Sequence, residues 1–255
     1  MEVHRTAAYR GWDAHWLERG RLALVVVPQV GGRVMGVRWR DFEVSFVNPD
    51  LAGRVEDASA ANDVRVVKRG RGFLLWGGEK TWLAPQDRWT DALPFYDLDS
   101  GRYDVSVDLD PPSVRVTSPI CRETGVQLER TIALGSAEGT WTVEHAMTNR
   151  GLAPVSWGLW IVSMVSRSAR VHLPVAAGSS FPDGVKTFAN EGDSCVVRDD
   201  VVTRNDGYAT IVCREARKYK YGVDAATASA LACIEREGAG VVAHRMSVPA
   251  FHPRP

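Results

Sequence analysis

Along most of the chain apolar and polar residues alternate one by one, and a period of two marks a strand with one buried face. In YDVSVDL (103–109), Tyr103, Val105, Val107 and Leu109 fall on one face and Asp104, Ser106 and Asp108 on the other. VQLERTIAL (126–134) puts Val126, Leu128, Ile132 and Leu134 on one side, with Arg130 interrupting that face. TWTVEHAMT (140–148) groups Trp141, Val143, His145 and Met147. Shorter β-branched runs at 22–27, 33–39, 42–47, 64–67, 113–117, 195–202, 208–213 and 240–248 predict further strands.

Turn residues separate these runs: Gly31-Gly32, Asn48-Pro49-Asp50, Pro111-Pro112, Ser118-Pro119, Asn149-Arg150-Gly151, Pro182-Asp183-Gly184 and Asn205-Asp206-Gly207. Helical pattern is thin. HWLERGRLAL (15–24) has room for a turn or two, and DAATASALACIERE (224–237) reads as a helix or as a strand after a turn. No linker, charge block or fixed-period repeat stands out. Many short strands joined by turns predict an all-β, antiparallel sandwich or barrel, taken as a single domain over 1–255 with 1–20 as an N-terminal extension.

Composition narrows the partners. Lys+Arg and Asp+Glu both total 31, and a chain without surplus basic charge is not built for nucleic acid or anionic lipid. The apolar runs LALVVV (22–27) and WGLWIVSMV (157–165) reach at most about half the ~20 residues a bilayer requires. The opening MEVHRTAAYRGWDAHWLERG is polar, without the apolar stretch of a secretory signal. Cys121, Cys195, Cys213 and Cys233 are scattered, with no C-x-x-C pair, and read as free thiols of a cytoplasmic protein. No metal-ligand spacing, phosphate-cradling loop or nucleophile motif is present, so neither metal nor cofactor is expected. The nine tryptophans fit either a large core or the aromatic platforms that recognise sugars.

The order of several segments resembles the galactose mutarotase-like (aldose 1-epimerase) superfamily, in a bacterial branch apart from its well-known enzymes. PQVGGRVMGVRWRDFEVSFVNPDLAG (28–53) is similar to the strand, Gly-Gly turn and hairpin that open those proteins. GGEKTWLAPQDRW (77–89) resembles the segment beside their sugar pocket. TSPICRETGVQLERTIAL (117–134) and TWTVEHAMTNRGLAPVSWGLW (140–160) resemble the paired long strands and the turn that follows, and ARVHLP (169–174) and KYKYG (218–222) two later strands. The resemblance spans roughly residues 20–250. It implies an antiparallel β-supersandwich whose concave face receives a carbohydrate, and an isomerase chemistry in which an acid and a base with near-neutral pKa values exchange sugar anomers.

The chain departs from the enzymes of that family. Where they carry a histidine after the TN-x-G turn, it has Trp157, Gly158, Leu159 and Trp160. PFYDLDSG (94–101) lacks their second histidine, and with AFHPRP (250–255) the sequence is expected to stop short of the strand that bears their glutamate base. The candidates that remain are His145 and Glu235 for catalysis. For substrate binding they are Lys80, Trp82, Gln86, Trp89, Arg122, Trp157, Trp160, Lys218 and Lys220. Each also has a plain reading: tryptophans packing a core, lysines on a solvated face, His145 as a satisfied core histidine. Lys80, Arg122 and Lys220 would together make an anion site if they converge. The expected function is binding of, or action on, a free, acidic or phosphorylated sugar. The alternatives are a non-catalytic β-sandwich binding module or an accessory domain of a carbohydrate-active enzyme. Oligomeric state is open.

Overall fold

The alternating stretches form antiparallel strands. The computed structural model describes residues 2–58, 61–165, 169–175, 179, 181, 184–187, 202–205, 207–212, 221–223, 229–236 and 240–247. The chain divides into two compact units, Met1–Val165 and Ser166–Pro255.

In the first unit the strands are β1 (Glu2–Tyr9), β2 (Trp12–Arg19), β3 (Leu22–Val27), β4 (Arg33–Trp39), β5 (Phe42–Glu43), β6 (Glu79–Ala84), β7 (Asp104–Leu109), β8 (Pro112–Thr117), β9 (Val126–Leu134), β10 (Trp141–Asn149) and β11 (Gly158–Ser163). A seven-stranded sheet runs β1-β2-β3-β4-β6-β11, with β5 paired to β4, and a four-stranded sheet runs β10-β9-β8-β7. Their facing sides share a core of Leu17, Leu22, Leu24, Val26, Val34 and Val37 with Tyr103, Val114, Val116 and Ile132. On its other face the large sheet contributes Trp12, Trp16, Val25, Val27 and Met35 to a second core with Val47, Leu51 and Trp76. The central strands are thus buried on both sides, which is why LALVVV is continuously apolar rather than alternating. A bulge between Val25 and Val26 leaves Met35 without a cross-strand partner, so Val34 and Val37 both reach the shared core.

Two helices interrupt the strands: α1 (Val64–Arg71) and α2 (Tyr96–Asp99). The β-branched run at 64–67, expected as a strand, is the start of α1. Asp63 caps it by accepting from the Arg65 amide, and Gly72, with φ of 70°, ends it. Residues 15–24, considered for a helical turn, lie instead in the β2–β3 hairpin. Residues 2–19, read as an extension, form the paired strands β1 and β2. The 42–47 run forms only the two-residue β5, followed by isolated bridges at Ser45 and Val47. The 103–109 face is only partly covered: Tyr103 and, in part, Val107 pack into the shared core, but Val105 and Leu109 are exposed.

The second unit holds β12 (Ala169–Pro174), β13 (Val185–Thr187), β14 (Val202–Asn205), β15 (Tyr208–Val212), β16 (Tyr221–Val223), β17 (Ser229–Arg236) and β18 (Gly240–Ser247). Five of them pair in the order β14-β15-β12-β17-β18, and β13 pairs with β16. The 224–237 segment therefore holds a strand from Ser229 onward, and the 195–202 run lies outside the described residues except for Val202. The architecture is mostly β, in several antiparallel sheets with few helices.

Candidate functional site

On β6 the pleat sends Lys80 and Trp82 to one face and Glu79, Thr81 and Leu83 to the other. Opposite Lys80 and Trp82 on β11 stand Val162 and Trp160. The turn at Gly31 and Gly32, where both φ values are positive, lets α2 close on the sheet. A Cβ at Gly31 would strike the Asp99 carbonyl, and one at Gly32 the Tyr103 ring. This contact delivers Asp99 into the sheet surface.

The Asp99 carboxylate is fully engaged. Oδ1 accepts from Arg33 Nη2 at 2.8 Å, Lys80 Nζ at 3.1 Å and Trp82 Nε1 at 2.8 Å. Oδ2 accepts from Ser100 Oγ at 2.7 Å, and that hydroxyl accepts from Trp76 Nε1 at 3.0 Å. All of these side chains are buried. Burial pushes the carboxyl up, but Lys80, Arg33 and the donated hydrogen bonds outweigh it and hold Asp99 below the ordinary carboxylate range. Two cations share this one anion, and burial lowers the Lys80 ammonium to about 7 against the pull of Asp99. Lys80 also sits 3.5 Å over the Trp82 ring. Its ammonium is therefore a buried partner of Asp99, neither a solvated charge nor a free sugar ligand.

The opposite face of β6 meets the small sheet. Arg130, the residue interrupting the apolar face of β9, is buried and donates from Nη2 to Glu79 Oε1 at 2.6 Å and from Nη1 to the Gly32 carbonyl at 2.8 Å. His145, expected as a catalyst, has Nδ1 2.9 Å from Thr81 Oγ1. Burial, then the Arg130 charge, pushes its pKa down to about 4. It is neutral near pH 7, in a half-buried position between the sheets. The side chain of Glu235 lies outside the described residues.

The four expected tryptophans do come together. Trp82 stands 5.1 Å from Trp89 and 5.4 Å from Trp160, ring centre to ring centre, and Trp89 is 5.9 Å from Trp160. Trp157 joins through Phe95 at 5.6 Å and lies under Arg88 at 4.6 Å. These rings pack on one another and on Leu83, Leu98 and Leu128. Trp82 and Trp89 are buried, and Trp89 donates to the Leu83 carbonyl. The cluster is core, and its half-exposed members are Trp157 and Trp160. Gln86 starts a short 3₁₀ turn, half-buried.

Arg122 does not join Lys80 in an anion site. Its guanidinium donates to both carboxylate oxygens of Asp97, at 2.7 Å for Nη2 to Oδ1, and to the Ala58 carbonyl. The two cations thus face different carboxylates, Arg122 facing Asp97 and Lys80 the Asp99 that it shares with Arg33. Lys218 and Lys220 lie outside the described residues.

A hollow does occur elsewhere in the first unit. A depression of about 280 Å³ is lined by Asp13, His15, Pro28, Gln29, Arg102, Tyr103, Asp104 and Val105. Gln29 locks Asp13 through two hydrogen bonds, Nε2 to Oδ2 at 3.0 Å and the Asp13 amide to Oε1 at 2.9 Å. Arg102 and Asp104 are exposed and hold no ion pair among the described residues. The lining offers carboxylates, an amide, an imidazole and a guanidinium beside the apolar Pro28 and Val105. Sequence reasoning missed these residues. The available signal was Asp13 and His15, polar at period two on the β2 face that continues to the buried Leu17.

Among the described residues no three His, Cys, Asp or Glu side chains gather as a metal site, and no helix is long and apolar enough to cross a membrane. The chain matches no protein-family model, and no curated protein matches it.

Proposed function

We propose that the chain is a carbohydrate-binding β-sandwich protein of galactose mutarotase-like, supersandwich architecture that recognises a single sugar ring without interconverting its anomers. The observation that carries this reading is the depression at Asp13, Gln29 and Arg102. Its polar groups of both signs suit hydroxyls, Pro28 and Val105 suit C–H faces, and its volume sits near the lower end of the ~300–1,000 Å³ of small-molecule sites. The face-to-face packing of a large and a small antiparallel sheet supports the architecture.

The chemistry of anomer exchange argues for binding over catalysis. It needs an acid and a base that reach the ring oxygen and the anomeric hydroxyl. Lys80 and the expected catalyst His145 are held by Asp99 and Thr81 away from the depression's lining, and of the lining's own shifted groups Tyr103 donates to the Leu98 carbonyl while His15 faces His4. Saturation-transfer NMR against neutral aldoses, uronic acids and sugar phosphates tests the binding, and exchange spectroscopy between anomer signals tests the chemistry. Binding without acceleration is the expected outcome. Acceleration at catalytic protein concentration overturns the non-catalytic reading, and absence of any binding overturns both.

A further inference from the structure

We propose that His4 and His15 form a two-imidazole site for a divalent transition-metal ion of the zinc, nickel or copper class on the β1–β2 hairpin, a reading that does not depend on the sugar. In the register of this pair His4 faces Leu17 and His15 faces Thr6. The histidines are therefore diagonal neighbours on one face of the ribbon, where ring side chains reach one another. His4 Nε2 lies 3.1 Å from His15 Nδ1. The ring centres are 5.3 Å apart with 24° between their planes. That separation is close to the nitrogen gap plus the distance from each ring centre to its own nitrogen. The rings therefore meet edge to edge with nitrogens facing, rather than stacking face on face.

This geometry is near what an ion requires. Metal–imidazole bonds of about 2.0–2.1 Å at angles of about 90–110° hold two nitrogens roughly 2.8–3.4 Å apart, a range that includes the observed gap. A modest pivot of the two half-buried rings brings both lone pairs to one point beside the nitrogen–nitrogen line. The ligating form is the neutral imidazole, which binds through the lone pair of its unprotonated nitrogen. His4 Nδ1 and His15 Nε2 make no hydrogen bond to the described residues. When the ion enters, the proton shared between the facing nitrogens moves to the free nitrogen of the same ring. The neutral pair therefore releases no proton. Water completes the coordination, and imidazole suits zinc, nickel and copper better than calcium or magnesium.

The test uses the full chain without a histidine tag. Zinc chloride is titrated near pH 7 while the histidine ring signals are followed by NMR, and nickel uptake is measured by competition with a chromogenic chelator. The His4 and His15 signals should shift together and saturate, with His145 and His172 unmoved. His4→Gln and His15→Gln should each weaken uptake by about tenfold or more, with unchanged circular dichroism. Still signals at His4 and His15, or uptake equal in the double variant, overturns the site.

Discussion

Arg130 Nη2 lies 2.6 Å from Glu79 Oε1, joining the middle of the small sheet to the large one through a pair buried on both sides. The arginine occupies a position that the alternation of β9 reserves for an apolar residue. Its charge is paired with Glu79, its two terminal nitrogens donate to Glu79 and to the Gly32 and Glu79 carbonyls, and its buried Nε has no partner among the described residues. Removing one partner strands the other in a low-dielectric layer. Arg130→Met should lower stability by about 3–5 kcal/mol in urea denaturation, and the double change with Glu79→Leu should recover part of that loss. A single change costing under ~1 kcal/mol would show that water reaches the pair.

The Asp99 cluster makes an asymmetric prediction. Asp99→Asn leaves Arg33 and Lys80 buried with no anion between them and should cost about 3–5 kcal/mol. Lys80→Met removes the surplus cation and keeps the Arg33 pair, so its cost should be distinctly smaller. Equal costs in chemical denaturation would contradict the charge balance described.

The same lysine sets a pH dependence. Its folded pKa, about 7, is below the ordinary 10.5, so between those values the unfolded chain binds more protons and stability rises with pH. The penalty of burying the charge is complete below pH 7 and relieved toward pH 10.5. Stability of the protein relative to Lys80→Met should therefore improve from pH 7 to 10. A flat difference would place the ammonium in contact with water.

His145 acts in the acid range. Its folded pKa, about 4, is below the ordinary 6.5, so the unfolded chain takes up a proton first as pH falls. Its contribution is present above pH 6.5 and lost progressively toward pH 4. In an NMR titration its ring signals should stay still until near pH 4, and His145→Gln should flatten the stability profile across that window. A midpoint near 6.5 would mean the ring is solvated.

The aromatic cluster should behave as core. Trp82→Ala should cost about 3–5 kcal/mol, and Trp157→Ala, at a half-exposed site, clearly less. Sugar binding unaffected by Trp157→Ala would agree with the placement of the ligand elsewhere.

Much of the sheet structure was readable from alternation. β9 and β10 lie where the pattern put them, and the interruption at Arg130 marked a real buried charge. The helix α1 was hidden because Val64, Val66 and Val67 are β-branched, and only the Asp63 cap and Gly72 stop announce it. The face of β7 misled because alternation reports two-sidedness, not whether a partner covers the apolar side. The indole segments were found, yet burial made them packing. The depression escaped because its walls come from three separate stretches, at 13–15, 28–29 and 102–105, none unusual alone.

The most direct measurement of the ligand site is an amide and side-chain NMR map during titration with the best-binding sugar. Shifts should concentrate on the Gln29 side-chain amide, Arg102 Nε–H and the backbone of Asp13 and Asp104. Arg102→Ala should erase them while leaving the fold intact. Shifts centred on the Trp82 and Trp160 indoles, or none anywhere in residues 12–105, would contradict the site.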